Sequence, residues 1–172
     1  MNTLCINNGL VIDPESCTAR LASVGVKDGR IAEISDTPLH ADTELDAAGH
    51  VVCPGFIDVH AHVDNVTTYP DHETCAKLSL LQGVTTLVSG NCGLSVPNVT
   101  EFFDRIDKGY PLNHAELLGG STLRKMVGAC NIYAPATKEQ IDHMCCLARQ
   151  GLSQGAAGIS LGVGYTPGTS LD

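Results

Sequence analysis

From Pro54 onward the chain alternates short apolar runs with helical patterns and places glycine at the joints, which restricts it to a parallel sheet with helical crossovers. The apolar runs are GFIDVHAH, GVTTLVSG, AELLGG and GAAGISLGVG. HETCAKLSLLQ, EFFDRIDKG, TLRKMVGA and TKEQIDHMCCLARQGLSQ read as helices. A doubly wound sheet and a (β/α)8 barrel both satisfy this α/β pattern. No G-x-G-x-x-G opens a helix after the first strand, and polar residues gather at the ends of the apolar runs, where barrel enzymes place their chemistry. The barrel is the better fit.

Residues 1–53 follow a different grammar of short strands, LCI, LVI, ASVGVK and RIAEIS. Asp28-Gly29 lies between two apolar runs and predicts a hairpin, because both residues of its tight turn must accept positive φ. The sequence therefore divides into a small β region at 1–53 and βα units at 54–172. The boundary near Cys53-Pro54 is a change of pattern, without a low-complexity linker or internal repeat.

The chemistry concentrates at the ends of the apolar runs. In FIDVHAHVD, strand alternation points His60 and His62 to the same face, so two imidazoles converge on one point. Paired neutral histidines suit Zn²⁺, with other strands and water completing the coordination; two polar residues finishing a strand are the alternative. Asp58 shares their face and could orient an imidazole or make a structural hydrogen bond. Asp64 reads as a loop residue, with a substrate or metal role open. GVTTLVSG leads into Asn91-Cys92-Gly93, where a thiolate could bind a borderline metal or a thiol could be buried. GISLGVGYTPG ends in a Gly-rich loop whose Tyr165 could bond a substrate carboxylate or pack the barrel rim. The other histidines, 40, 50, 72, 114 and 143, read as surface or structural residues.

A formal charge of −9 repels phosphate backbones and acidic lipid surfaces, so the expected partners exclude nucleic acid and membranes. No basic, apolar leader or ~20-residue apolar span is present, which predicts a cytoplasmic protein. The eight cysteines form no C-x-x-C pair; most are expected to be buried free thiols.

The opening NGLVID, VGVKDGRIAEIS, ELDAAGHVVCPGFIDVHAHVD resembles the amidohydrolase superfamily, in which a small β-sandwich precedes a metal-bearing barrel. GVTTLVSGNCG, LLGGSTLRKMVGA and GAAGISLGVGYTPG together resemble the N-acyl-D-amino-acid deacylases, or D-aminoacylases, over nearly the whole chain. The resemblance implies a β-sandwich portion followed by the first half of a TIM-like barrel, with His60, His62 and Cys92 as zinc ligands and Tyr165 as a contact for the substrate carboxylate. Cys92 would take the bridging place that a carboxylated lysine holds in dihydroorotase-like relatives. The implied reaction is hydrolysis of a linear amide in a small N-acyl amino acid by water activated on the metal, with an aspartate shuttling the proton. The alternatives are a cyclic amidohydrolase of the dihydroorotase or hydantoinase kind, or a non-catalytic truncated product. Family members commonly read Gly-His where this chain has Gly119-Gly120, which leaves substrate preference open.

A closed barrel takes about 250 residues, so residues 54–172 are expected to build about half of one. On that expectation the chain is an amino-terminal fragment, without the later ligands and the catalytic aspartate, inactive alone and weak in metal binding. It is also expected to self-associate through exposed barrel edges.

Overall fold

Strand β1 (Asn2–Asp13) buries Cys5, Asn7, Gly9 and Val11 in strict alternation, and this long strand organises everything before Pro54. The sequence suggests two strands here, LCI and LVI; they are one, continued across a register shift between Ile6 and Gly9. Asn8 makes the shift possible by taking a left-handed φ of 64°. Its amide donates to Asp46 Oδ1 at 2.9 Å. That bond, with a second from the Ala48 N–H, holds the Asp46 carboxyl below its ordinary pKa.

The computed structural model describes residues 1–63, 72–164 and 166–168. They form two compact units, Met1–Pro54 and Gly55–Asp172. In the first, β2 (Thr18–Lys27) and β3 (Arg30–Ser35) are antiparallel neighbours, while β4 (Ala41–Asp46) and β5 (Val51–Val52) pair parallel with β1. The result is one five-stranded mixed sheet. Val11, Ala22 and Val24 form its core cluster, with Val26 and Val52 packed against it.

Asp28 and Gly29 make the expected two-residue turn, with φ of 52° and 72° and Lys27 paired to Arg30. A side chain at Gly29 would meet nothing within 4 Å, so conformation alone limits this position. Gly29→Val is therefore expected to cost about 1–2 kcal/mol, the penalty for a left-handed L-residue. Urea unfolding followed by circular dichroism checks this, and an unchanged midpoint would contradict it.

The second unit holds β6 (Phe56–Asp58), α1 (His72–Leu81), β7 (Val84–Ser89), α2 (Val99–Ile106), β8 (Asn113–Gly119), α3 (Gly120–Met126), α4 (Lys138–Ser153) and β9 (Gly158–Ser160). The four strands are all parallel and stand in chain order, β6-β7-β8-β9. Strands that keep adding on one side build half of a (β/α)8 barrel, whereas a doubly wound sheet reverses direction at a switch point. Local signals fix the helix starts. Asn98 caps α2 by accepting the Glu101 N–H, and Thr137 and Gln140 form a reciprocal capping box on α4.

On the helix-facing side of this sheet, Ala76, Leu87 and Leu112 pack with Ala61, and Val99, Leu118 and Ala156 form a second cluster. A Cβ at Gly151 would come within 2.7 Å of Leu118 Cδ1, so glycine lets α4 lie directly on β8. No helix among the described residues is long and apolar enough to cross a membrane.

The expectation of buried cysteines fails for most of those described. Cys5 is buried and Cys92 is intermediate, but Cys17, Cys53, Cys130, Cys145 and Cys146 are exposed free thiols. Cys17 occupies a left-handed turn position, φ 53°, and Cys145 and Cys146 lie on α4, whose buried residues are Ala148 and Gly151. Small apolar character does not outweigh placement.

Candidate metal centre

The chain leaves β6 at Asp58 but continues alongside β7, because the Ala61 N–H donates to Val88 O at 3.0 Å. Ala61 is buried, whereas the flanking His60 and His62 are exposed. Strand-like alternation thus survives past the end of the strand proper. The imidazole rings meet edge-on, with centroids 5.3 Å apart and planes at 68°.

After β7 the backbone turns sharply, with φ of 78° at Gly90, 56° at Cys92 and 75° at Gly93. A Cβ at Gly90 would stand 2.0 Å from Leu117 O, so the loop can pass this close to β8 only as glycine. From β9, Ser160 Oγ donates to Gly90 O and accepts the Gly93 N–H, closing the loop from the other side. Cys92 is thereby held at the same end of the sheet as the histidines. Its Sγ lies 3.4 Å from His60 Nε2, and donor atoms of His60, His62 and Cys92 all fall within 4.8 Å of one another.

Two donors on one tetrahedral zinc stand roughly 3.5 Å apart, given Zn–N of roughly 2.0–2.1 Å and Zn–S of roughly 2.3 Å. The Cys92–His60 separation matches this. Two imidazoles and a thiol also suit zinc by softness. Among the described residues no carboxylate joins the group. Asp58 does not orient an imidazole; its Oδ1 accepts the backbone N–H of His60 at 3.0 Å and fixes the turn out of β6. Asp64 and Tyr165 lie outside the described residues.

Beside His62 opens a cleft of about 660 Å³, lined also by Leu94, Ser95, Pro97, Thr122, Lys125 and Met126. Ser95 and Thr122 are bonded to each other, through Ser95 N to Thr122 Oγ1 and Thr122 Oγ1 to Ser95 O. Among the described residues that line the cleft, Lys125 is the one lysine or arginine. At Gly120, where relatives are expected to carry histidine, a Cβ would come too close only to Leu161 Cδ2, at 2.8 Å, the end of an exposed side chain that can move aside.

His114 is neither in a turn nor on the surface: it lies in β8 with its side chain wholly buried. Ser89 Oγ donates to Glu116 Oε2 at 2.5 Å and lies 2.5 Å from His114 Nε2, whose N–H it accepts in that arrangement. Glu116 Oε1 takes the Val96 N–H at 3.4 Å, tying β8 to the loop that follows Cys92. The Phe102 ring from α2 packs edge-on to His114 at 4.9 Å, so this network is on the helix side of the sheet. A signal was present in the sequence. Buried parallel strands read as continuous apolar runs, and His114 and Glu116 break that rule, Glu116 directly opposite Ser89.

The profile of the amidohydrolase family matches residues 43–120. D-aminoacylase from Alcaligenes xylosoxydans xylosoxydans is 36% identical over 95% of this chain and 38% of its own length. The N-acyl-D-glutamate deacylase of the same organism is 34% identical, over 96% and 38%. Among solved structures, a D-aminoacylase with a binuclear metal centre superposes with a TM-score of 0.89 at 33% identity, covering all of this chain and 41% of that one. N-acyl-D-glutamate deacylase from Bordetella bronchiseptica, complexed with zinc and a phosphonate inhibitor, gives 0.88 at 33% identity, covering 99% and 40%. The chain spans about two-fifths of the length of these relatives. Fold, sequence and the match over its whole length agree that the chain belongs to the amidohydrolase family, beside its D-aminoacylases.

Proposed function

We propose that His60, His62 and Cys92 are zinc ligands of a site that hydrolyses the linear amide of an N-acyl-D-amino acid. The convergence of the three donors within 4.8 Å carries this reading. Bound zinc would supply a Lewis acid that polarises the amide carbonyl and lowers the pKa of water. The chain's own contribution is to hold the donors at one end of the sheet and to offer a cleft lined in part by Lys125. That cation suits the free carboxylate of an N-acyl amino acid, and Tyr165 is the second proposed contact for it. A thiol at position 92, where cyclic amidohydrolases would need a carboxylated lysine, favours the linear substrate.

The proposal extends to the finer points of the same reading. Among the described residues the three donors stand without the further histidines and the aspartate that the family resemblance implies, so residues 1–172 by themselves are expected to bind zinc weakly and not to turn substrate over. β6 and β9 each pair on one side only among the described residues, and Phe56, Ile57, Ile159 and Leu161 are exposed; self-association through those edges follows. Five exposed free thiols suit a reducing cytoplasm.

Calorimetry of the zinc-supplemented protein with N-acetyl-D-amino acids and with dihydroorotate tests the substrate class. Binding of the former is expected; preference for dihydroorotate would overturn it. Lys125→Ala should weaken binding of the N-acetyl-D-amino acid about 3- to 10-fold, as for one partly exposed charge pair, and leave its neutral carboxamide analogue unaffected. Equal losses for both ligands would remove Lys125 from the anion contact.

A further inference from the structure

We propose that Asn91 is the positioning residue that sets the spacing of all three metal donors, an inference that rests on the zinc-site reading above. Asn91 is 9% exposed, and its side-chain Nδ2 lies 2.9 Å from Val88 O and 3.4 Å from both Val59 O and Ala61 O. The carbonyls of Val59 and Ala61 belong to the peptide units that enter His60 and His62. One amide therefore grips the backbone immediately before each histidine, and the next residue along its own chain is Cys92. Through Val88 O it is also anchored to the end of β7, where the Ala61 N–H already binds.

Side-chain chemistry makes asparagine hard to replace here. Its NH₂ carries two protons and can share them among three carbonyls, whereas aspartate of the same shape has only acceptors when ionised and serine has a single proton. The flanking residues cannot take over. Gly90 is wedged against Leu117 O, and Cys92 sits at φ 56°, a conformation that costs an L-residue about 1–2 kcal/mol and persists only when its surroundings impose it. Cutting the amide bonds would let the His60–His62 segment and the Cys92 loop drift apart without dismantling the sheet beneath them.

The test compares wild type, Asn91→Asp and Asn91→Ala by zinc competition against a chromogenic chelator and by the absorption spectrum of the cobalt-loaded protein. Both variants are expected to lose about 10–100-fold in zinc affinity, as for other partners that orient ligands, and to show a weakened or shifted thiolate-to-cobalt band. Wild-type affinity and spectrum in both variants would overturn the role of Asn91 alone. A wild-type protein with no thiolate band would overturn the metal site itself. Should both variants fail to fold, the wild type still decides: the Asn91 Nδ2 protons should exchange slowly in ¹⁵N spectra and shift on adding zinc. Fast exchange, indifferent to zinc, would overturn the proposal.

Discussion

Cys92→Ser is expected to lower zinc affinity by more than about 100-fold, because it strikes a donor directly where changes to supporting partners typically cost 10–100-fold. The substitution is nearly isosteric and keeps the left-handed position occupied by an L-residue, so neither packing nor backbone strain changes much. What changes is the donor. A hydroxyl does not ionise near neutral pH as a thiol can beside a cation, and an unionised oxygen is a poor partner for zinc. His60→Ala should give a comparable loss, since His60 Nε2 is the nitrogen 3.4 Å from the sulfur. Chelator competition measures both. A Cys92→Ser protein binding zinc within about 3-fold of wild type would show that the sulfur is no ligand.

The second large effect lies away from the proposed zinc site. Glu116→Ala is expected to destabilise the protein by about 3 kcal/mol, because Glu116 is fully buried and its carboxyl is the shared partner of Ser89 and the Val96 N–H. Removing it leaves buried polar groups without a partner, at about 1–3 kcal/mol each, and opens a space the size of the lost side chain. His114 increases the exposure to this loss, since its Nδ1 already has no hydrogen-bond partner among the described residues. Chemical denaturation with an unchanged slope and a lower midpoint is the expected result. Glu116→Gln should cost less, as it keeps an acceptor for Ser89. A Glu116→Ala protein as stable as wild type would mean that the network contributes nothing.

Much of this architecture is legible in the residues because local rules and the global fold agree. Asp28-Gly29 specifies its hairpin through φ alone. The alternation that places His60 and His62 together holds because Ala61 keeps bonding to Val88 after β6 has ended. Local patterns say nothing of partners distant in sequence, and the misreadings follow from that. Asp58 looks like a partner for an imidazole yet closes its own turn two residues on. His114 reads no more closely than as a surface or structural residue, because the partners that make it structural, Ser89 and Phe102, come from other elements. Asn91 lies inside the NCG motif, but three carbonyls from two neighbouring segments give it its place.

The clasp of Ser160 on Gly90 and Gly93 also bears on the order in which the molecule assembles. The three donors span only residues 60 to 92, but the loop carrying Cys92 is closed by bonds reaching 70 and 67 residues along the chain, and Gly162 packs its backbone on Cys92 O. Contacts of such long sequence separation form late, after the loop between them has been closed. Metal competence should therefore arise as the last event of folding rather than its nucleus. In refolding followed by stopped flow, a thiolate-to-cobalt band should appear after most of the far-ultraviolet dichroism has returned, so that metal capture reports that the fourth strand has docked.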